Sequence, residues 1–218
     1  MEQDKCILRE MNCELNQLSM PDGSTIFMQG DTCIAAGVYG PIEARLAKMM
    51  YDKAHIEVVF SPIKGPPSID GRMKELYIKE TCESTIMISL HPGTAISINL
   101  QEMEDAGGLL ACAINAANLA LINSSLSMKF TIAAIHCMID KDSGKIILDP
   151  EPNQLQNARA KFTYAFDSIK KDLITCHTSG IFTEKELMIS MKQCREASQY
   201  IFNFYREVVK KYSKCTAR

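Results

Sequence analysis

The sequence predicts an α+β protein in which strands and helices form two similar lobes within one compact domain. Three observations lead to this prediction. Strands come in runs that are followed by helices, rather than alternating regularly with them as in a doubly wound parallel sheet. The order strands, helix, strand, buried helix is followed by strands and a second long helix. No linker rich in Ser, Thr or Gly separates the two halves.

The first part of the chain has the pattern of consecutive short strands. Turn residues separate these strands, and we expect them to form an antiparallel meander. Gly40-Pro41 should end the third strand, because proline has no N–H to donate to a β-ladder. The four predicted strands are Ile7 to Leu15, Ser24 to Gln29, Thr32 to Tyr39 and His55 to Ser61.

Two helices and one clear strand follow. An apolar stripe predicts a helix from Arg72 to Leu90, which His91-Pro92-Gly93 should stop. Apolar and polar residues alternate from Thr94 to Met103, as in a half-buried strand. The stretch from Leu109 to Asn123 is apolar on all sides, which places this helix in the middle of the core.

The second half repeats this theme and ends in a long helix. A turn at Asp142-Ser143-Gly144 should join the first two of its strands. Thr183 and Glu186 form a capping box at the start of the final helix. The predicted strands are Phe130 to Ile139, Lys145 to Asp149, Ala158 to Ser168 and Leu173 to Thr178.

Composition and charge exclude several classes of protein. The net charge of -2 lacks the basic excess of a protein that binds nucleic acid alone. The nine cysteines include no Cys-x-x-Cys pair, and the four histidines are dispersed, so we expect no structural metal and no cofactor. Neither a signal peptide nor a membrane-spanning segment is predicted.

A series of motifs in the right order resembles the RNase PH family over essentially the whole chain. Within that family the sequence is most similar to ring subunits of the eukaryotic RNA exosome of the component-five type. The resemblance implies a first lobe at residues 5–125 and a second at 126–214. The motifs are PDGS from Pro21, QGDT from Gln29, GVYGP from Gly37, DAGGLLAC from Asp105, ILDP from Ile147 and ARAKFTYAFDS from Ala158, with FNFYRE from Phe202 in the last helix.

The resemblance also implies where an active site would lie. Active members cleave RNA from the 3′ end with phosphate, which an arginine holds, and acidic residues manage protons or a metal. The serine or threonine position of the family loop is Gly108 here, and the arginine position is Leu109. The two acidic positions are Asp149 and Leu155. Asp149 can equally be a turn residue before a proline.

Basic residues on the first long helix are the RNA-binding candidates. The family carries arginines here that grip the RNA backbone, and this chain has Arg72, Lys74 and Lys79. A solvated helix face is the alternative interpretation, because Glu75, Glu80 and Glu83 supply partners at helical spacing.

The resemblance implies a non-catalytic ring subunit that pairs with other RNase PH-like chains. Such rings carry S1/KH cap subunits and pass RNA to hydrolytic nucleases in the nucleus, nucleolus and cytoplasm, for rRNA maturation and RNA decay. One alternative is a residual phosphorolytic or metal-dependent nuclease that acts as a homodimer outside the ring. A free-standing nucleic-acid-binding module is the other, and the net charge disfavours it.

Overall fold

The structure is a computed structural model that describes residues 8–141 and 144–216. The described residues form two β-sheets with helices packed around them, which confirms the predicted α+β class. The first sheet has the order β1-β2-β3-β5-β4 and the second the order β7-β6-β8-β9. The strands are β1 Met11–Leu15, β2 Gly23–Gln29, β3 Thr32–Glu43, β4 His55–Ser61, β5 Thr94–Glu104, β6 Ile132–Asp140, β7 Ile146–Leu148, β8 Ala158–Asp167 and β9 Leu173–Gly180. The helices are α1 Ile69–Thr85, α2 Leu109–Asn123, α3 Pro152–Leu155 and α4 Glu184–Thr216.

The fourth strand corrects the expectation of an antiparallel meander. Strands β1 to β3 pair antiparallel, but β4 lies at the far edge of the sheet and pairs in parallel with β5. The cause is the connection, because α1 lies between β4 and β5 and returns the chain to the end of the sheet where β4 began. Parallel neighbours require such a crossover.

Strand β3 runs past Gly40-Pro41, where the sequence predicted its end. The pairing of β3 with β5 shifts register between Tyr39 and Ile42, so Pro41 sits at an irregularity in the ladder. A proline at such a position costs no ladder hydrogen bond. The N–H of Gly40 donates instead to the carboxylate of Asp22 at 2.8 Å.

Helix α1 begins and ends earlier than its apolar stripe indicated. Ser68 caps its start, with the hydroxyl accepting from the N–H of Gly71 at 3.2 Å. The helix ends when Ile86 turns extended and forms a bridge with Met128. The last three residues of the predicted helix, Ile88 to Leu90, form a separate 3₁₀ turn.

Helix α2 is the centre of the core, as its composition predicted. Residues 109–121 of this helix are all buried. Two of its asparagines bind the backbone of β6: Asn115 contacts both the N–H and the carbonyl of Ala134, and Asn118 accepts from Ile132. Helix α2 is therefore fixed to the second sheet as well as packed on the first.

Helix α4 joins the two sheets from the outside. Its predicted capping box is present, since Glu186 accepts from the N–H of Thr183 at 2.8 Å and donates its own N–H to the Thr183 hydroxyl. At the other end, the hydroxyl of Tyr212 accepts from the N–H of Leu15 in β1 at 3.1 Å. Helix α4 thus contacts β1 of the first sheet and β6 and β8 of the second.

Four further expectations from the sequence concern a turn, the division into lobes, the cysteines and membrane-spanning segments. Asp142 and Ser143 of the predicted turn lie outside the described residues. The division into lobes at residues 5–125 and 126–214 stays a prediction. Six of the cysteines are free thiols: Cys13, Cys33, Cys82, Cys112, Cys137 and Cys176. No helix within the described ranges is long and apolar enough to cross a membrane.

Candidate functional site

A cleft of about 360 Å³ opens between α1, the loop before α2 and the face of the second sheet. Three positions marked by the family resemblance meet in this cleft: Gly108, Leu109 and Leu155. Side chains of the second sheet that the sequence analysis did not connect to them, such as His136 and Lys161, also line it. The residues lining it are Asp70, Met73, Lys74, Tyr77, Asp105, Gly107, Gly108, Leu109, Leu110, His136, Leu155, Lys161, Thr163, His177 and Ser179.

Gly108 caps the N-terminus of α2 in the left-handed conformation, with φ of 70°. A Cβ at this position would lie 3.3 Å from Cβ of His136 and 3.4 Å from Nη2 of Arg9. Glycine is therefore favoured both by the backbone and by the space. Leu109, which follows it, lines the cleft with an apolar side chain that is almost wholly buried. Leucine offers no group that could bind phosphate.

Leu155 reaches the cleft from α3, a short helix that the sequence analysis did not predict. Pro152 stands at the start of α3, and a capping box joins Glu151 to Gln154. A Cβ on Gly107 would lie 2.5 Å from Cδ1 of Leu155, so the leucine occupies the space beside that glycine. The two positions that the family resemblance assigns to an arginine and a second acid thus carry packed apolar side chains.

Asp149 lies beneath the loop before α2, and its carboxylate is hydrogen-bonded to other residues of the chain. Its carboxylate accepts from Nη2 of Arg9 at 2.6 Å, from the N–H of Arg9 at 3.0 Å and from Nε2 of Gln29 at 2.8 Å. Its own N–H donates to the carbonyl of His136 at 2.8 Å. Its φ of 49° places it in a turn, which agrees with the alternative interpretation from the sequence. Three hydrogen bonds, one of which is also an ion pair with Arg9, give this carboxylate a structural role.

Arg9 is the residue that sequence reasoning missed. Its guanidinium also donates to the carbonyls of Ala106 and Gly107, each at 3.0 Å, and so holds the loop before α2 from behind. The hydroxyl of Thr32 assists by donating to the carbonyl of Gly107 at 2.8 Å. No motif marked Arg9, because it lies before the first strand and its partners are far away in sequence.

The polar wall of the cleft comes from the second sheet. His136 is buried and its Nδ1 lies 3.0 Å from the hydroxyl of Thr163, as expected for a satisfied core histidine. Burial lowers the pKa of His136 to about 4, with Asp149 opposing and Lys161 adding to the shift. The imidazole is therefore neutral near pH 7. Beside it, the ring of His177 packs edge-on against Tyr77 at a centroid distance of 5.0 Å.

The three RNA-binding candidates do not share one face of α1. Lys74 lines the cleft, and its ammonium lies 5.6 Å from the ring centroid of Phe60. Arg72 and Lys79 are seven residues apart and lie on a roughly opposite face of the helix. Lys79 forms a long ion pair with Glu83 at 3.9 Å, while the Arg72 side chain is exposed. Within the described ranges, no three His, Cys, Asp or Glu side chains lie close enough together to hold a metal ion.

Comparison with known proteins identifies the fold and the family. The family model described as 3′ exoribonuclease family, domain 1, matches residues 7–127. A rice protein (Oryza sativa subsp. japonica) named exosome complex exonuclease RRP46 homolog is 31% identical, covering 94% of this chain and 92% of its own. A Schizosaccharomyces pombe protein named exosome complex component rrp46 is 30% identical over 78% of this chain and 76% of its own.

A solved structure extends the likeness to three dimensions. The crystal structure of rice Rrp46 matches with a TM-score of 0.90 at 31% identity, covering 96% of this chain and 98% of the rice chain. The chain belongs to the RNase PH family of 3′ exoribonucleases. The rice and Schizosaccharomyces pombe relatives carry exosome Rrp46 names, which confirms the resemblance found in the sequence.

Proposed function

We propose that this chain is a non-catalytic RNase PH-like ring subunit of the RNA exosome. In this role it supports ring assembly and the passage of RNA during 3′-to-5′ processing and decay, including rRNA maturation. The names of the relatives, which describe exosome components, support the assembly part of the proposal.

One observation carries the non-catalytic part. Leu109 and Leu155 fill the positions where the family pattern places the phosphate-binding arginine and the second acid, while Asp149 is bound by Arg9 and Gln29. Inorganic phosphate carries about one to two negative charges near neutral pH, and a leucine wall offers no hydrogen bond for them. The Asp149 carboxylate would have to break its ion pair with Arg9 to act as a base.

The cleft and its surroundings support contact with the RNA backbone. Lys74 and Lys161 both line the cleft and can each meet a phosphate as a point charge. Arg72 and Lys79 extend basic character to the outer face of α1. Contacts of this kind position a strand without selecting its sequence. A chain with a net charge of -2 then acts on RNA through local groups and through its neighbours in the ring.

Other proteins complete this role. We infer that the partners are other RNase PH-like ring subunits, S1/KH cap subunits and the hydrolytic nucleases that receive the RNA. Such an assembly works in the nucleus, nucleolus and cytoplasm. No cofactor and no membrane are involved in the proposal.

Exposed apolar side chains support the need for a ring partner. Leu46, Tyr51 and Ile69 are 91%, 86% and 82% exposed, and Leu76 on α1 is half-exposed. Exposed apolar side chains are typical of interfaces where they lie together on a surface, and these residues are our candidates for one. We therefore expect the isolated chain to self-associate or aggregate, and a matching RNase PH-like partner to convert it into a defined heterodimer.

The rival function is a residual nuclease, phosphorolytic or metal-dependent, acting as a homodimer outside the ring. The word exonuclease in the name of the rice relative is the observation that favours it. The two functions differ in what the purified chain does to end-labelled single-stranded RNA: a ring subunit leaves it intact, and a residual nuclease shortens it.

The assembly part is tested by affinity capture of the tagged chain followed by mass spectrometry and sedimentation. We expect RNase PH-like and S1/KH exosome subunits to co-purify in near-stoichiometric amounts. A chain that sediments as a stable monomer at micromolar concentration, and does not change when candidate partners are added, would contradict the proposal.

A further inference from the structure

A second groove lies at the C-terminal end of α2, whereas the cleft beside α1 lies at the N-terminal end of this helix. It has a volume of about 460 Å³ and lies between the C-terminal half of α4 and the end of α2. Thr131, just before β6, and Ser168, just after β8, complete its wall. Its apolar lining consists of Ile122, Phe202, Tyr205 and Val209. It shares no lining residue with the cleft beside α1.

The floor of this groove is fixed by buried hydrogen bonds. The hydroxyl of Tyr205 donates to Oδ1 of Asn115 at 2.9 Å, and Asn115 in turn donates to the carbonyl of Ala134 at 2.9 Å. The opposite wall is held by the N–H of Thr131, which donates to the hydroxyl of Ser168 at 3.2 Å. A concave surface held in this way is largely preformed, so a ligand loses little affinity to ordering it.

The charge of the groove is one-sided. Arg206 and Lys210 both line it, one turn apart on α4, and no acidic side chain is among its lining residues in the described ranges. In the sequence from Arg206 to Lys211, Glu207 is the one acidic residue. This basic, apolar strip therefore contrasts with the slightly acidic chain as a whole.

We propose that this groove docks a short acidic segment of a partner protein, one that inserts an aliphatic side chain between Arg206 and the apolar floor. Phe202 and Tyr205 are only 8% and 4% exposed, so they present no open ring face on which RNA bases could stack. An apolar concavity with cations at its rim instead fits an aliphatic side chain flanked by carboxylates. This inference goes beyond the ring-subunit role and does not depend on it.

The test uses the full chain, alone or co-purified with its ring partner, and a fluorescein-labelled peptide Asp-Asp-Leu-Leu-Asp-Asp. Fluorescence anisotropy should show saturable binding that weakens with added salt. Arg206→Glu with Lys210→Glu should weaken binding by about tenfold or more, since two attractive charges become repulsive. The single variant Val209→Glu, which leaves both cations in place, should weaken it as well.

Matched controls separate this groove from general charge effects. Lys185→Glu with Lys192→Glu makes the same change in net charge on the same helix, and should leave peptide binding unchanged. The peptide Asp-Asp-Ser-Ser-Asp-Asp, which keeps the charge and lacks the aliphatic side chains, should bind more weakly than the leucine peptide.

Three results would overturn the proposal. The first is peptide binding that the Arg206→Glu and Lys210→Glu change does not alter. The second is a single-stranded oligouridylate that loses affinity for this variant while the peptide does not, which would make the groove an RNA surface. The third is loss of peptide binding on ring assembly, which would place the groove within the ring interface. A failure of ring assembly itself would count against the proposed function and leave the peptide measurement on the chain intact.

Discussion

Nη2 of Arg9 lies 2.6 Å from Oδ1 of Asp149, although the two residues are 140 positions apart in the chain. The carboxylate is almost fully buried and the guanidinium nearly so. This pair joins the segment before β1 to the turn after β7, beneath the loop that begins α2. It occupies the one acidic group that the family pattern leaves in this chain.

Breaking this pair should destabilise the fold. We expect Arg9→Met to lower the free energy of unfolding by about 3 kcal/mol, because a buried carboxylate loses its countercharge. Urea unfolding followed by circular dichroism measures this. Adding Asp149→Asn should cost less than the sum of the two single changes, because the residues are coupled. A loss within about 0.5 kcal/mol of zero for Arg9→Met, the range of an ordinary surface change, would contradict a structural role for the pair.

The glycine before α2 provides a second test. Gly108→Ala introduces a left-handed alanine and also crowds His136 and Arg9 at 3.3 and 3.4 Å. Gly65→Ala is the matched control, since Gly65 has φ of 78° and no neighbour within 4 Å of its added Cβ. Backbone strain of about 1–2 kcal/mol applies to both, so Gly108→Ala should be the more destabilising in thermal unfolding. Equal losses would show that the loop has room to relax.

Histidine protonation predicts a pH dependence of stability. The pKa of His136 is about 4 in the folded chain and its ordinary value is 6.5. Between these values the unfolded chain binds a proton that the folded chain does not, so the free energy of unfolding falls as the pH decreases through this window. The total loss in the free energy of unfolding is about 3 kcal/mol, reached near pH 4, and there is no loss above pH 6.5.

The variant His136→Asn isolates this contribution, because asparagine keeps a polar group near Thr163 and does not titrate. Its stability should fall less than that of the wild type between pH 7 and pH 4.5, measured by urea unfolding at each pH. Parallel curves for the two proteins would contradict a depressed pKa for this residue.

RNA contact along α1 is tested by charge reversal in an assembled ring. We expect Arg72→Glu with Lys74→Glu to weaken binding of single-stranded RNA and to reduce the salt slope by about 0.7 per lost phosphate contact, with assembly intact. Lys170→Glu with Lys171→Glu is the control, in the β8–β9 turn at the other end of β9 from the cleft. Unchanged affinity and salt slope in the Arg72 and Lys74 variant would show that these residues are a solvated face.

The sequence predicted the elements better than their arrangement. Alternation along β5 and the all-apolar composition of α2 follow from which residues of each element are buried, and this is written in the local sequence. Both elements lie within one residue of the predicted bounds. The direction of β4 was wrong because it depends on where the crossover helix α1 places the next strand. The early end of α1 depends on the bridge between Ile86 and Met128, which lie in different parts of the chain.

The candidate site shows the same division. The motif positions Gly108, Leu109 and Leu155 do meet in one cleft, as the family pattern implied. The contacts that decide the role of Asp149 come from Arg9 and Gln29, which no spacing rule connects to it. The separation of Lys74 from Arg72 and Lys79 follows from helical geometry. It is visible in the sequence, because two residues separate Lys74 from Arg72 whereas seven residues, two full turns, separate Arg72 from Lys79.

The central claim is that this chain takes part in RNA decay without cleaving RNA. Homogeneous chain incubated with end-labelled single-stranded RNA, with and without inorganic phosphate and with divalent metal or chelator, tests it most directly. We expect full-length RNA in every lane and no release of nucleoside diphosphates, both for the chain alone and for its heterodimer with a ring partner. Phosphate-dependent release of nucleoside diphosphates, or metal-dependent shortening that follows the chain through purification, would contradict it.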